Sequence, residues 1–385
     1  MKINTKQLIK ELQWANRFAE RKNTIPILAN VLFDADGGKL SLSATNLEVA
    51  GTTSVIGSGG DKWAVAVPVA KLIQYLGKVD EEEVELSTPG NNWLIVKHSG
   101  DGTKVSGMSK ESYPELPVPK SKQSVTLRNL PQAIERTLFA ISPEESRFTL
   151  NGALLEVNGD GAHLIATDGH RLSKAPVTAA RANMQVHAIL DRKLMQEAQK
   201  LDAECCFQQD DDHVFLTYSG MGYADTTRRI IARKLKGTFP DHERVVPKEM
   251  PNHFMIPVAS TKKVLDRVAL YADERSHAVV FRFTEGSLTM SARSLEEGEA
   301  HGSVAVRPGE IATSLPFEVG LNANYALDFL NRVDSSMVAF CFASDKPDEV
   351  NEAGEVVHKG SKGGSKAVVL TNQSGWLVVL MPMRI

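Results

Sequence analysis

The segment ATDGHRL at 166–172 is where catalysis would be sought first, because Asp168 and His170 are the residue types of a base and the carboxylate that orients it. Nothing completes that pair. No Gly-x-Ser-x-Gly pattern supplies a nucleophile, and Asp168-Gly169 is a turn signal in its own right. Phosphate chemistry fares no better: GTTSVIGS at 51–58 lacks the lysine of a phosphate-cradling loop, and GSKGGSK at 360–366 has the wrong spacing. Cys205, Cys206 and Cys341 give no zinc-ligand spacing and an odd count for a disulfide set, so they read as reduced and either buried or inert. The sequence predicts no catalytic residue, no metal and no cofactor. A binding role suits 166–172 better, with Gly169 removing bulk, His170 and Arg171 offering donors and Leu172 an apolar floor for a short peptide. The chain end, MPMRI at 381–385, would add a second, adaptable wall through Met381, Pro382 and Met383.

The elements around this segment recur. LSLSATNLEVA at 40–50 has the layout of HLIATDGHRLSKA at 163–175, and SLTMSARSLEEGEA at 287–300 is a weaker third copy. Aligned on Ala44, Ala166 and Ala292 the copies lie 122 and 126 residues apart, a domain-sized period. The matching turns at Asn46 and Ser294 carry no histidine, which counts against chemistry at Asp168. Upstream of each copy an alternating segment (27–38, 148–161, 278–286) predicts a strand. Each third opens with a helical pattern at 6–20, 129–142 or 259–272, and a second follows near 68, 190 and 322. In the first, Leu8, Leu12, Ala15 and Ala19 form one stripe; in the last, Val264, Val268 and Tyr271 do. Each third is thus an α+β domain, with boundaries expected at 1–120, 121–247 and 248–385. Proline-rich 113–123 and 239–251 read as extended connectors, and the polar, glycine-rich 343–366 as a mobile loop.

Of 385 residues, 24% are charged and 42% hydrophobic, a globular composition too long for one core. No apolar run approaches the ~18 residues of a membrane span, and the N-terminal stretch lacks a signal-peptide core, so a cytoplasmic protein without membrane contact is expected. With 44 basic and 47 acidic residues the net charge is -3, and any nucleic-acid contact must be local. Residues 1–22 hold Lys2, Lys6, Lys10, Arg17, Arg21 and Lys22 against Glu11 and Glu20, and the third-domain helix adds Lys262, Lys263 and Arg267. These could attract phosphates diffusely, or simply solubilise a wet face. TTRRIIARKLKG at 226–237, with five basic residues, alternates like a strand and could face solvent.

TIPILANVLF at 24–33, ATDGHRL, FPDHERVVP at 239–247, LNANYALDFL at 321–330 and MPMRI, in this order and with the threefold repeat, resemble the bacterial DNA polymerase III beta subunits, the sliding clamps. The resemblance runs from end to end. It implies three repeated β-α-β-β-β processivity domains per chain and two chains closing head to tail into a six-domain ring around duplex DNA, a non-catalytic processivity factor for replication. Domains that each turn the chain by about 60° cover half a circle, and a twofold pairing completes it. The implied partners are double-stranded DNA, held without sequence specificity, the replicative polymerase alpha subunit, the clamp-loader delta subunit, and other polymerases and repair proteins with clamp-binding motifs. Carried over by position, the family's peptide pocket falls on Leu150, Thr167, Gly169, His170, Arg171, Leu172, Pro240, Arg244, Val245, Asn322, Tyr325, Val379, Met381, Pro382, Met383 and Arg384. Lys22, Arg147 and Phe148 match positions near DNA, and Leu270 and Tyr271, facing Val105, match the dimer interface. His242 and Glu243 depart from the aromatic or aliphatic residues often found after the FPD motif, and the 343–366 stretch is longer than the family's usual loop.

Overall fold

The computed structural model describes all residues except 21–23, 145, 160, 202–203, 220–225, 248–249, 295, 314, 345–348, 351–355, 359–362 and 385. Side chains at 349–350, 356–358 and 363 are likewise left aside, so the loop expected at 343–366 lies largely outside the described residues.

Among those described, one unit, strand-helix-strand-strand-strand, occurs six times, twice in each third. The first third contains β1 (Lys2–Asn4), α1 (Thr5–Ala15), β2 (Val31–Asp36), β3 (Lys39–Thr45) and β4 (Val49–Ile56), then β5 (Trp63–Val67), α2 (Ala70–Leu76), β6 (Glu83–Ser87), β7 (Trp93–His98) and β8 (Asp101–Ser106). The central third repeats the order with β9 (Val125–Leu127), α3 (Leu130–Glu135), β10 (Gly152–Asn158), β11 (Gly161–Thr167) and β12 (Arg171–Pro176), then β13 (Val186–Asp191), α4 (Arg192–Ala198), β14 (Cys205–Gln209), β15 (His213–Ser219) and β16 (Thr227–Arg233). The last third has β17 (Asn252–Pro257), α5 (Val258–Ala269), β18 (Ala278–Phe283), β19 (Ser287–Ser294) and β20 (Gly298–Ala305), then β21 (Phe317–Asn322), α6 (Ala323–Leu330), β22 (Met337–Phe342), β23 (Val368–Thr371) and β24 (Leu377–Leu380). Short ladders at 179–180, 307–308, 349–350 and 356–358 are additional.

In every third the opening strands are exchanged: β1 joins β6-β7-β8 while β5 joins β2-β3-β4, and the other thirds do the same. Four of the resulting sheets then meet edge to edge in two pairs, β4 on β16 with Ala50 opposite Ile231, and β12 on β24 with Leu172 opposite Val379. Among the described residues β8 and β20 are each paired on one side only.

The chain packs as two compact units. One comprises residues 1–131, 178–185 and 193–234; the other comprises 132–177, 186–192 and 235–385. The central third therefore supplies a sheet to each. In the first unit α1 buries Leu8, Leu12 and Ala15, as its stripe predicts. Its buried Glu11 receives Arg228 in a bidentate pair at 2.8 and 2.9 Å and Thr53 Oγ1 at 2.6 Å. Arg228 is thus not on a solvent face: this basic strand points one arginine inward, to Glu11 of α1. In the second unit Phe254, Phe283, Phe317, Phe340 and Phe342 stack into one aromatic core, with Phe317 and Phe342 centroids 3.8 Å apart. Val264 and Val268 are buried there, but Tyr271 falls past the end of α5 and is 40% exposed.

Candidate functional site

Asp168 closes the β11–β12 turn. Its Oδ1 accepts from the backbone N–H groups of His170 and Arg171 at 2.9 and 3.0 Å, and Thr167 Oγ1 accepts from Gly169 N while donating to Arg171 O. The first third has the same network, with Asn46 Oδ1 accepting from Glu48 and Val49 and Thr45 Oγ1 from Leu47. Asp168 is therefore a turn-former. The third turn position sits at φ 90° in Gly169 and φ 74° in Leu47, left-handed values that glycine adopts without strain. A Cβ on Gly169 would also stand 3.3 Å from the Arg147 guanidinium.

Beside this turn lies a mainly apolar cavity of about 150 Å³. Thr167, Gly169, Arg171 and Leu172 come from the turn and β12; Val379 and Met381 from β24 and the tail that follows it. Leu150 ends a short 3-10 turn, while Pro240 and Val245 belong to the 239–245 segment. Met381 N donates to His170 O at 3.0 Å, and Met383 N to Gly320 O at 2.8 Å, so the tail is laid along the second unit by its backbone. Met381 and Val245 are 44% and 39% exposed, leaving apolar surface for an incoming side chain.

The other residues carried over from the resemblance do not line the cavity. His170 and Arg244 are exposed, with Arg244 Nε on Asp241 at 2.9 Å, and Pro382, Met383 and Arg384 continue the tail. Asn322 caps α6, accepting from Asn324 and Tyr325 N–H, and Tyr325 stacks under Arg171 with the guanidinium 4.2 Å from the ring centre. Arg171 offers few free donors: its nitrogens bind Asp168 Oδ2 (3.0 Å), Asp328 Oδ2 (2.6 Å) and Phe139 O (2.6 Å). It braces the cavity wall against α6. Sequence reasoning did not place His242 in the cavity, and it took 239–251 for an extended connector. Instead, Phe239 joins the core around Leu154 and Ile165, and His242–Arg244 form a 3-10 turn with the His242 ring buried against the cavity. An aromatic two residues before the aspartate, Phe239 in FPD, was the available signal.

Arg147 is held by Glu144 at 2.8 Å and by Asp168 O at 3.1 Å, whereas Phe148 is 71% exposed. Lys22 lies outside the described residues. Leu270 is 72% exposed at the end of α5, Tyr271 follows it, and Val105 is half-buried on β8. Burial pushes the Cys205 and Cys341 thiols up to about 12 and about 11, which leaves little thiolate for chemistry. Among the described residues no cluster of three or more His, Cys, Asp or Glu is placed to hold a metal, and no helix is long and apolar enough to cross a membrane.

His242 gives this region a pH dependence. Its Nε2 is buried without a hydrogen-bond partner among the described residues, 3.9 Å from Glu156 Oε2. Burial, then the Lys174 charge, hold its pKa below the ordinary value against the opposing pull of Glu156, Glu243 and Asp241, and His163 is depressed by burial in the same way. The unfolded chain then binds protons that the folded chain refuses, so stability is full above pH ~6.5 and falls as the pH drops through that value towards the folded pKa. Melting temperatures between pH 8 and 5.5 should show this loss, and His242→Gln should flatten part of it. An unchanged slope in that variant would place the effect elsewhere.

Sheets that join edge to edge, and a small, mainly apolar cavity with Leu172, Val379 and Met381 on its walls and the His242 ring beside it, make a fold built from repeats with one recess suited to an apolar side chain. Residues 1–117, 124–241 and 243–359 match the N-terminal, central and C-terminal domain models of the DNA polymerase III beta subunit. The beta sliding clamp of Caulobacter vibrioides is 30% identical over 364 residues, covering 89% of this chain and 92% of the relative. The crystal structure of the DNA polymerase III subunit beta from Pseudomonas aeruginosa superimposes with a TM-score of 0.85 at 24% identity, covering 100% of both chains. A Bartonella birtlesii sliding clamp bound to griselimycin does so with 0.80 at 25% identity, covering 100% of this chain and 99% of its own. The chain belongs to the DNA polymerase III beta-subunit family, the bacterial sliding clamps, whose members serve DNA replication as non-catalytic processivity factors.

Proposed function

We propose that two copies of this chain close into a ring that encircles duplex DNA, and that the cavity beside the 168–170 turn tethers partner proteins to it. The observation that carries the ring is the rule of the sheet joints. Within the chain, the last strand of a leading half-repeat pairs with the last strand of a following half-repeat in the next third, β4 with β16 and β12 with β24. The strands left over are β20 and β8, one leading and one following. Paired between chains, they continue the rule and close a twofold assembly of three domains per chain, divided near 120 and 247. Exposed Leu270, with Tyr271 beside it, lies at the end of the helix packed on β20, and Val105 lies on β8, so all three fall at that joint.

DNA inside such a ring needs no base contacts; diffuse attraction by lysine and arginine, with Lys22, Arg147 and Phe148 near the duplex, lets the ring slide. Partner segments, from the polymerase alpha subunit, the loader's delta subunit and other polymerases and repair proteins, place an apolar anchor against Leu172, Val245 and Met381. Polar contacts come from His170 or Arg244 at the rim. Such a protein works in the cytoplasm. The test is a solution mass of about twice 42.0 kDa together with retention on circular but not linear DNA. Leu270→Asp with Tyr271→Asp should give a folded monomer that no circle retains. A dimer that survives this change, or tight high-salt binding to short linear duplex, would sink the reading.

A further inference from the structure

A second cavity, of about 570 Å³, lies within the first unit, beneath the 113–118 stretch and over the outer face of β2, β3, β4 and β16. The pairing registers set Leu32, Ser43, Thr52, Arg229 and Thr217 side by side across that face. In the second unit the matching row, by the same pairings, is Leu154, Ile165, Lys174, Leu377 and Thr371. There Leu154 and Ile165 belong to a core onto which Leu235, Val246 and Met250 pack. The first unit closes over its row only at the sides: Tyr113 donates to Ser43 O at 3.2 Å, and Leu116 packs on Ala50, Phe215 and Ile231. Between them the floor is open and mixed, with Leu32 and Ile231 beside Ser43, Thr52 and Arg229.

Arg229 is the unusual member. Half-buried in the sheet face, it donates from Nε to Thr217 Oγ1 at 3.1 Å, and among the described residues no carboxylate is bonded to it. Burial holds its pKa below the ordinary arginine value, the mark of a cation short of a counter-charge. Hydroxyls of Ser41, Ser43 and Thr52 share the cavity with it, next to apolar Leu32, Leu116 and Ile231. At the mouth Lys110 is already taken by Asp34 at 2.6 Å, while Glu111 and Glu115 are exposed.

We propose that this cavity is a second peptide-docking site, taking a partner segment that presents one carboxylate to Arg229 and a neighbouring apolar side chain to Leu32, Leu116 and Ile231. Charge complementarity selects the carboxylate, since guanidinium and carboxylate match in a two-point hydrogen bond. The two rim glutamates repel a polyanion far more than a single carboxylate, which disfavours nucleic acid. The site lies on the repeat's counterpart of the sheet face beside which the first groove sits, two residues along the strands, as Lys174–Leu377 is from Leu172–Val379.

The probes are Ac-Leu-Asp-NH2, its isostere Ac-Leu-Asn-NH2 and inorganic phosphate, titrated into the full-length protein while methyl NMR signals of Leu32, Leu116 and Ile231 are followed. The aspartyl probe is expected to shift these signals saturably and to bind about tenfold more tightly than the asparaginyl one, the worth of one charge-assisted contact. Arg229→Gln should erase that preference. Equal binding of the two peptides, no saturable shift, or phosphate matching the aspartyl peptide overturns the proposal. The comparison on the unsubstituted protein decides it even if Arg229→Gln fails to fold.

Discussion

Replacing Glu11 with alanine is expected to cost about 3–5 kcal/mol of stability, the penalty for leaving a buried guanidinium without its partner. The Glu11 side chain is 1% exposed and that of Arg228 7%, so water cannot take over the charge. Burial alone would lower the Arg228 pKa; the hydrogen bond and charge of Glu11 more than offset it. The pair does not stand alone. Arg228 lies 5.5 Å from the Trp14 ring, and Trp14 Nε1 donates to Tyr218 OH at 2.8 Å, so Glu11 and Trp14 of α1 are locked onto Tyr218 of β15 and Arg228 of β16. Denaturant unfolding of Glu11→Ala should show the loss, and a joint Glu11→Leu, Arg228→Met change should recover much of it, because no charge is then stranded. A single-variant loss under about 1 kcal/mol would mean that Arg228 finds water after all.

Removal of residues 381–385 is the second large effect. It takes away the Met381 wall of the cavity while leaving β24 and its pairings to β12 and β23 intact. Burial of a methionine side chain is worth roughly 1.5–3 kcal/mol, so a partner peptide bound at micromolar affinity should weaken by about 10- to 100-fold. Polymerase and loader stimulation should then vanish at working concentrations, while the dimer and its melting temperature change little. Fluorescence anisotropy with a labelled clamp-binding peptide, alongside processive synthesis on a primed circle, reads both. Processive synthesis at full level by the truncated protein would reject the groove.

The helices and the threefold period are legible because they rest on local signals: the Leu8, Leu12, Ala15 stripe and the recurrent Ala44, Ala166 and Ala292. The doubling inside each third is not. Strands such as Lys2–Asn4 are too short to show alternation, and their pairing, Ile3 with Val84, spans the whole domain. Arg228 escaped for a related reason. A basic strand alternates whether its arginine faces water or a buried glutamate 217 positions away, and only the fold distinguishes them. At the cavity, the turn and tail announce themselves through Gly169 and the methionines. Asn322 and Tyr325 mark the neighbouring helix instead, as cap and as platform for Arg171. His242 went unplaced because a histidine among charged residues reads as exposed, while Phe239 draws its segment inward.

The joints between repeats are made by main-chain N–H and C=O groups, and the main chain has no sequence. Ala50 meets Ile231, Gly51 meets Ile230 and Thr52 meets Arg229 through the same ladder that any extended residues would form. Such a seam is indifferent to mutational drift so long as both edges stay extended and free of proline. An architecture held this way can therefore outlast most of its own residues, and a TM-score of 0.85 at 24% identity is what that durability looks like.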